Sequence, residues 1–126
     1  DGILADMLIA EAIAYEGKPL SQMVAEVIAE AGGPLFNRRL DLHLDNDHKL
    51  AVMKTYTEHP PTSIAGIDVK EVGRKDGVKF YLADGGWVLL RASGTEPLIR
   101  VYLETHSAEQ LQKLASTMET AIEALK

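Results

Sequence analysis

Apolar periodicity in this chain describes an α+β domain of two layers, an antiparallel sheet with both of its helices on one face, preceded by a helical hairpin. Three observations point there. Residues 1 to 33 carry helix-spaced apolar side chains up to a Gly32-Gly33-Pro34 break. After the break the patterns run strand, helix, four strands, helix. Four consecutive strands with short connections pair as an antiparallel sheet, and two helices laid on one side bury that face.

In the opening segment Ile3, Leu4, Met7, Leu8, Ala12 and Tyr15 repeat at helical spacing, and Gly17, Lys18 and Pro19 break the helix. A second helix carries Met23, Val24, Val27 and Ile28. The pair presents an apolar side that a partner should cover, and the start at Asp1 and Gly2 is expected to be a cut from something longer. From Phe36 to Leu44 apolar and polar residues alternate, as in a half-buried strand. Asp45 or Asn46 can cap a helix to about Tyr56, with Leu50, Met53 and Tyr56 or Thr57 inward. Glu58 to Ser63 holds two prolines and reads as a loop.

Ile67–Gly73 and Val78–Ala83 read as strands joined by a tight turn at Lys75, Asp76 and Gly77. Asp84, Gly85 and Gly86 turn the chain into Trp87–Leu90, a run of large side chains expected to form a buried strand. Leu98 to Leu103 follows in the strand period, with Ile99, Val101 and Leu103 on one face and Leu98, Arg100 and Tyr102 on the other. Arg100 should therefore avoid the helix-covered core. Ser107 and Gln110 form a capping box for the last helix, whose inward stripe is Leu111, Leu114, Met118, Ile122 and Leu125.

Bulk properties set limits on function. The 126 residues are 46% hydrophobic and 25% charged, which fits one globular core with an appendage. A formal net charge of −6 argues against nucleic acid as a partner. With no cysteine there is no disulfide, thiolate nucleophile or zinc–cysteine site, as expected of a cytoplasmic protein. No signal peptide is expected, and no apolar run is long enough to span a bilayer, so no membrane partner is expected either.

The stretch with chemistry is Gly85 to Thr105, GGWVLLRASGTEPLIRVYLET. Arg91 stands just before a Ser93-Gly94-Thr95 turn and Arg100 just after it, so a hairpin brings both guanidiniums to the same turn. Gly94 allows close backbone approach, turn N–H groups can form an anion concavity, and the Ser93 and Thr95 hydroxyls add donors. Arginine adds the planar fork that matches phosphate. Residue types alone leave an ordinary hairpin turn with solvated arginines open beside this reading.

The string LLRASGTEPLIRVYLE resembles the C-terminal phosphate-binding loop of the α-D-phosphohexomutases, the phosphoglucomutase and phosphomannomutase family, in which R-x-S-G-T-E-P is followed by I-R-V. DGILADMLIAEAIAYEGKPLSQMVAEV is similar to the family's D-G-I helix and its successor, which close the third domain. The two resemblances cover nearly the whole chain, with Leu44 to Asp84 least distinctive. They imply that residues 1–33 are the end of a third domain and 34–126 a fourth, whose β-α-β4-α fold is like that of the TATA-binding protein. They imply a parent enzyme that interconverts hexose 1-phosphate and hexose 6-phosphate through a bisphosphate, using a phosphoserine and Mg2+ held by domains missing here. On this resemblance Arg91, Ser93, Gly94, Thr95 and Arg100 hold the substrate phosphate that is not reacting, no catalytic or metal-binding residue lies in the chain, and the fragment alone is inactive.

Other candidates are thin. His43, His48, His59 and His106 lack metal-ligand spacing. Asp41, Asp45 and Asp47 lack the glycine and distal glutamate of a calcium loop, and capping accounts for them. Glu96 is expected to orient a guanidinium or the turn. Two other classes stay open: a freestanding small-molecule or anion-binding regulatory module, disfavoured by the uncovered helix pair, and a structural interaction domain with an incidental turn. Glucose, mannose and amino-sugar specificity are not distinguished.

Overall fold

Within the chain, a computed structural model that describes residues 1–125, two compact units divide at Pro34 and Leu35. The first holds α1 (Gly2–Glu16) and α2 (Leu20–Glu30). The Asp1 carboxylate accepts from Leu4 N–H at 3.2 Å, and Gly17 closes α1 with its N–H on the Ile13 carbonyl. Lys18 bridges Glu26 at 2.8 Å and Glu16 at 3.5 Å, tying the connection to α2. Neither helix buries a residue: Met7, Leu8, Val24 and Val27 all remain exposed.

The second unit runs β1 (Phe36–His43), α3 (Asn46–Glu58), β2 (Ser63–Ile64), β3 (Ile67–Gly73), β4 (Val78–Leu82), β5 (Trp87–Ala92), β6 (Leu98–Thr105) and α4 (Ala108–Glu123). All neighbours pair antiparallel, in the order β1-β6-β5-β4-β3-β2. Val78, Phe80, Leu82, Val88, Leu90, Ile99, Val101 and Leu103 line the inner face. Val52 and Tyr56 of α3 and Leu114, Ala115, Met118 and Ile122 of α4 complete one core with them. This is the two-layer α+β architecture expected, with its helices on one face.

The differences have local causes. The loop expected over Glu58–Ser63 gives way at Ser63 to a two-residue strand, β2, which pairs with the start of β3. Its turn uses Ala65 at φ 50° and Gly66 at φ 81°, and alanine in that region carries no turn signal. In α3 the inward stripe is Val52, Met53 and Tyr56, and Leu50 points outward, because docking of Leu44 and Lys49 on the β5–β6 connection sets which face meets the sheet. Leu125 lies past the end of α4 and is 38% exposed. Ser107 accepts from Gln110 N–H at 3.3 Å, but among the described residues no bond returns from the Ser107 N–H to the Gln110 side-chain oxygen, so only half of the capping box forms. Trp87–Leu90 is buried on one side only: Val88 and Leu90 enter the core, and Trp87 and Leu89 lie half-buried on the open face. There Lys79 stacks over the Trp87 ring at 4.0 Å, and Trp87 Nε1 donates to Glu104 at 2.9 Å.

Candidate functional site

Strand pairing puts Arg91 of β5 directly opposite Arg100 of β6. Two like charges in a cross-strand pair repel, so the arrangement costs stability unless something negative attends it. Each arginine has a carboxylate on its outer flank. Arg91 Nη1 lies 3.4 Å from Asp76 of the β3–β4 turn. Arg100 Nη2 donates to Glu96 at 2.6 Å, and its Nε lies 4.0 Å from Asp41, its register partner on β1. That Nε is enclosed without an acceptor. Glu96 thus orients a guanidinium, as expected, and Arg100 stands on the face away from the core between Ile99 and Val101, which are fully buried.

The connection between the strands folds in two directions. Ser93 is drawn inside, 5% exposed, with its N–H on the Leu98 carbonyl at 3.0 Å and its hydroxyl accepting from Glu96 N–H at 3.2 Å. Its side chain therefore closes the turn. Gly94 and Thr95 face outward, and their N–H groups have no acceptor among the described residues. A Cβ at Gly94 would meet nothing within 4 Å, and the residue lies outside the left-handed region. The fold thus gives no internal reason for glycine there.

Behind the turn stands α3. Leu44 N–H donates to the Pro97 carbonyl at 2.9 Å, which docks the start of the helix beside the turn. Lys49 then reaches the Ser93 and Glu96 carbonyls at 3.1 and 3.2 Å. Asn46, Lys49, Gly94, Thr95, Glu96 and Pro97 enclose an open hollow of about 240 Å³. Asp45, at the N-cap, accepts from His48 N–H at 2.9 Å, and this bond holds its carboxyl below the usual carboxylate range. Among the described residues no cluster of three or more His, Asp or Glu is grouped to hold a metal ion.

Comparison with known proteins decides the family. The model of the phosphoglucomutase/phosphomannomutase C-terminal domain matches residues 44–121, which include the turn and both arginines. The chain belongs to that family. It is 33% identical over 117 residues to a probable phosphoglucosamine mutase of Methanobrevibacter smithii, covering 93% of this chain and 24% of that protein. To a phosphoglucomutase/phosphomannomutase of Thermococcus kodakarensis it is 32% identical over 134 residues, covering 100% of this chain and 25% of the other. A crystal structure from Thermus thermophilus, described as a phosphomannomutase, superposes with a TM-score of 0.68 at 31% identity over 98% of this chain and 22% of that one. The chain spans about a quarter of the length of the curated relatives it matches.

Within this phosphoglucomutase/phosphomannomutase C-terminal domain, all five residues singled out by sequence lie on or beside one turn. Arg91, Gly94, Thr95 and Arg100 face the open side, and Ser93 braces it from within. Sequence reasoning missed Lys49 and Asp76 and put Asp41 down to capping, whereas Asp41 lies in β1 with its carboxylate 3.0 Å from Arg39 and 4.0 Å from Arg100. Lys49 lies 44 residues from Ser93, and no local pattern distinguishes it from any other helix lysine. No helix among the described residues is long and apolar enough to cross a membrane.

Proposed function

We propose that this chain supplies the substrate phosphate-binding turn of a phosphohexomutase, a parent enzyme that interconverts hexose 1-phosphate and hexose 6-phosphate. The observation that carries the reading is the cross-strand pair of Arg91 and Arg100, two guanidiniums opposed across a turn whose outward N–H groups have no acceptor among the described residues. A phosphate seated there gains charge-assisted hydrogen bonds from two planar forks and relieves their repulsion. Gly94 lets its oxygens reach the backbone, and the Thr95 hydroxyl adds a donor.

The role is binding remote from the reacting centre. Holding the non-reacting phosphate fixes the sugar's other end for phosphoryl transfer, and the binding energy serves orientation and closure of the cleft. The family's bisphosphate intermediate exposes its two ends in turn, so one turn serves both half-reactions. The phosphoserine and Mg2+ belong to segments outside this chain, and the role assigned here does not involve them. The reading makes the fragment catalytically inactive alone, with the missing domains of the same polypeptide as partners. It takes residues 1–33 as the end of the third domain, and the exposed apolar side chains of α1 and α2 support this over a freestanding module. A cytoplasmic setting follows from a phosphosugar substrate.

The test of substrate class is an NMR titration of the chain with glucose 1-phosphate, inorganic phosphate and glucose. The two phosphates should shift the amides of Arg91, Gly94, Thr95 and Arg100 with affinities on the order of millimolar, about 4 kcal/mol. Glucose should not. Equal shifts from glucose, or shifts centred elsewhere, would contradict the reading.

A further inference from the structure

We propose that Lys49 is the positioning residue of the turn: by holding the Ser93 carbonyl toward α3 it aims the Gly94 N–H at the anion side. The inference rests on the phosphate reading of the turn and adds a residue from another element to it. In a regular hairpin Leu98 N–H would return to the Ser93 carbonyl, but here it bonds to the Glu96 carbonyl at 2.9 Å. The Ser93 carbonyl is thereby left out of the ladder. Lys49 takes it at 3.1 Å, and takes the Glu96 carbonyl at 3.2 Å.

The peptide between Ser93 and Gly94 is trans and planar, so its N–H points opposite to its carbonyl. With the carbonyl on Lys49, the Gly94 N–H faces away from α3, where no described acceptor meets it. Little else holds this plane. Glycine is the most permissive residue on the far side of the bond, and an added Cβ at Gly94 would meet nothing within 4 Å. Without Lys49 the plane can rotate and present a carbonyl oxygen to the anion, which repels it. Among the described residues Lys49 has no carboxylate partner, so its charge also adds to the potential of the turn.

The experiment compares the 126-residue chain with Lys49→Met, which keeps the apolar stem, and with Lys54→Met, which removes one charge elsewhere on α3. Melting, the ligand-free Gly94 amide resonance and its hydrogen exchange, and a titration with inorganic phosphate are read on each. Lys49→Met should melt near the parent temperature, move or broaden the Gly94 resonance before any ligand is added, and weaken phosphate binding about tenfold. Lys54→Met should leave Gly94 in place and change affinity by less than about twofold. A Gly94 resonance unmoved in Lys49→Met overturns the proposal even where the parent chain binds phosphate. If Gly94 moves but the parent chain binds no phosphate, the positioning of the peptide stands and the phosphate reading falls. Should Lys49→Met melt early, Lys49→Gln repeats the comparison, and an unmoved Gly94 there overturns the proposal equally.

Discussion

Two hairpin turns at the same end of the sheet each carry a glycine, and the fold needs only one of them. In the β3–β4 turn Gly77 has φ +103°, and a Cβ there would lie 2.2 Å from the Leu90 carbonyl oxygen. The close pass of β5 demands glycine at that point. In the β5–β6 turn Gly94 has neither a left-handed φ nor a neighbour within 4 Å of an added Cβ. Strand pairing explains the first glycine; the fold supplies no such reason for the second, and under the proposed function it is clearance for the anion. Each turn carries a carboxylate on an arginine, Asp76 on Arg91 and Glu96 on Arg100, while the Gly94 and Thr95 N–H groups of the β5–β6 turn have no acceptor among the described residues.

The largest expected effect breaks the first turn. Gly77→Ala combines a left-handed alanine with a backbone clash and should destabilise the second unit by about 3 kcal/mol in denaturant unfolding. A midpoint like that of the parent chain would remove the distinction between the turns. Gly94→Ala should do the reverse: stability within about 0.5 kcal/mol of the parent, with phosphate affinity reduced several-fold because the methyl occupies the ligand's approach. An unchanged affinity would leave that glycine unexplained.

Asp76→Ala links the two turns. Its ion pair with Arg91 is exposed, so stability should change by less than about 1 kcal/mol. Phosphate binding should tighten by about twofold at low salt, since a competing carboxylate is gone, and the gain should fade as salt is added. Weaker binding would mean that Asp76 is needed to place Arg91. The smallest effect concerns the base of α3. Asp45 has a carboxyl held below 3.8 by the His48 N–H, so its stabilising contribution is present above 3.8 and is lost as pH falls through the lowered value. Asp45→Asn keeps a cap without a charge, and its melting temperature should fall less steeply than the parent's below about pH 4.

The candidate site was legible where its residues are close in sequence. Arg91, the Ser93-Gly94-Thr95 core and Arg100 lie within one hairpin, and strand parity alone put Arg100 on the face away from the core. What other elements bring to this turn was not legible. Asp41, Asp76 and Lys49 arrive from three other elements, and only the β1–β6 pairing, the β3–β4 turn and the docking of α3 bring them there. The fold followed the same rule. Long periodic segments such as β6 and α4 were readable, while β2, two residues behind a left-handed Ala65, offered no period at all. The phase of α3 was misjudged because Leu50 and Val52 are equally apolar and only the docking of the helix on the sheet decides which of them points inward.

The most direct test of the account is a phosphate titration of Arg91→Ala at constant ionic strength, followed by amide shifts across both turns. The account predicts that the parent chain shifts at Gly94, Thr95 and Arg100 while the amides around Gly77 move little, and that the substitution abolishes the shifts without lowering the melting temperature. Undiminished shifts at Gly94 and Thr95 in Arg91→Ala would contradict it, because the opposed arginines would then not be what holds the anion.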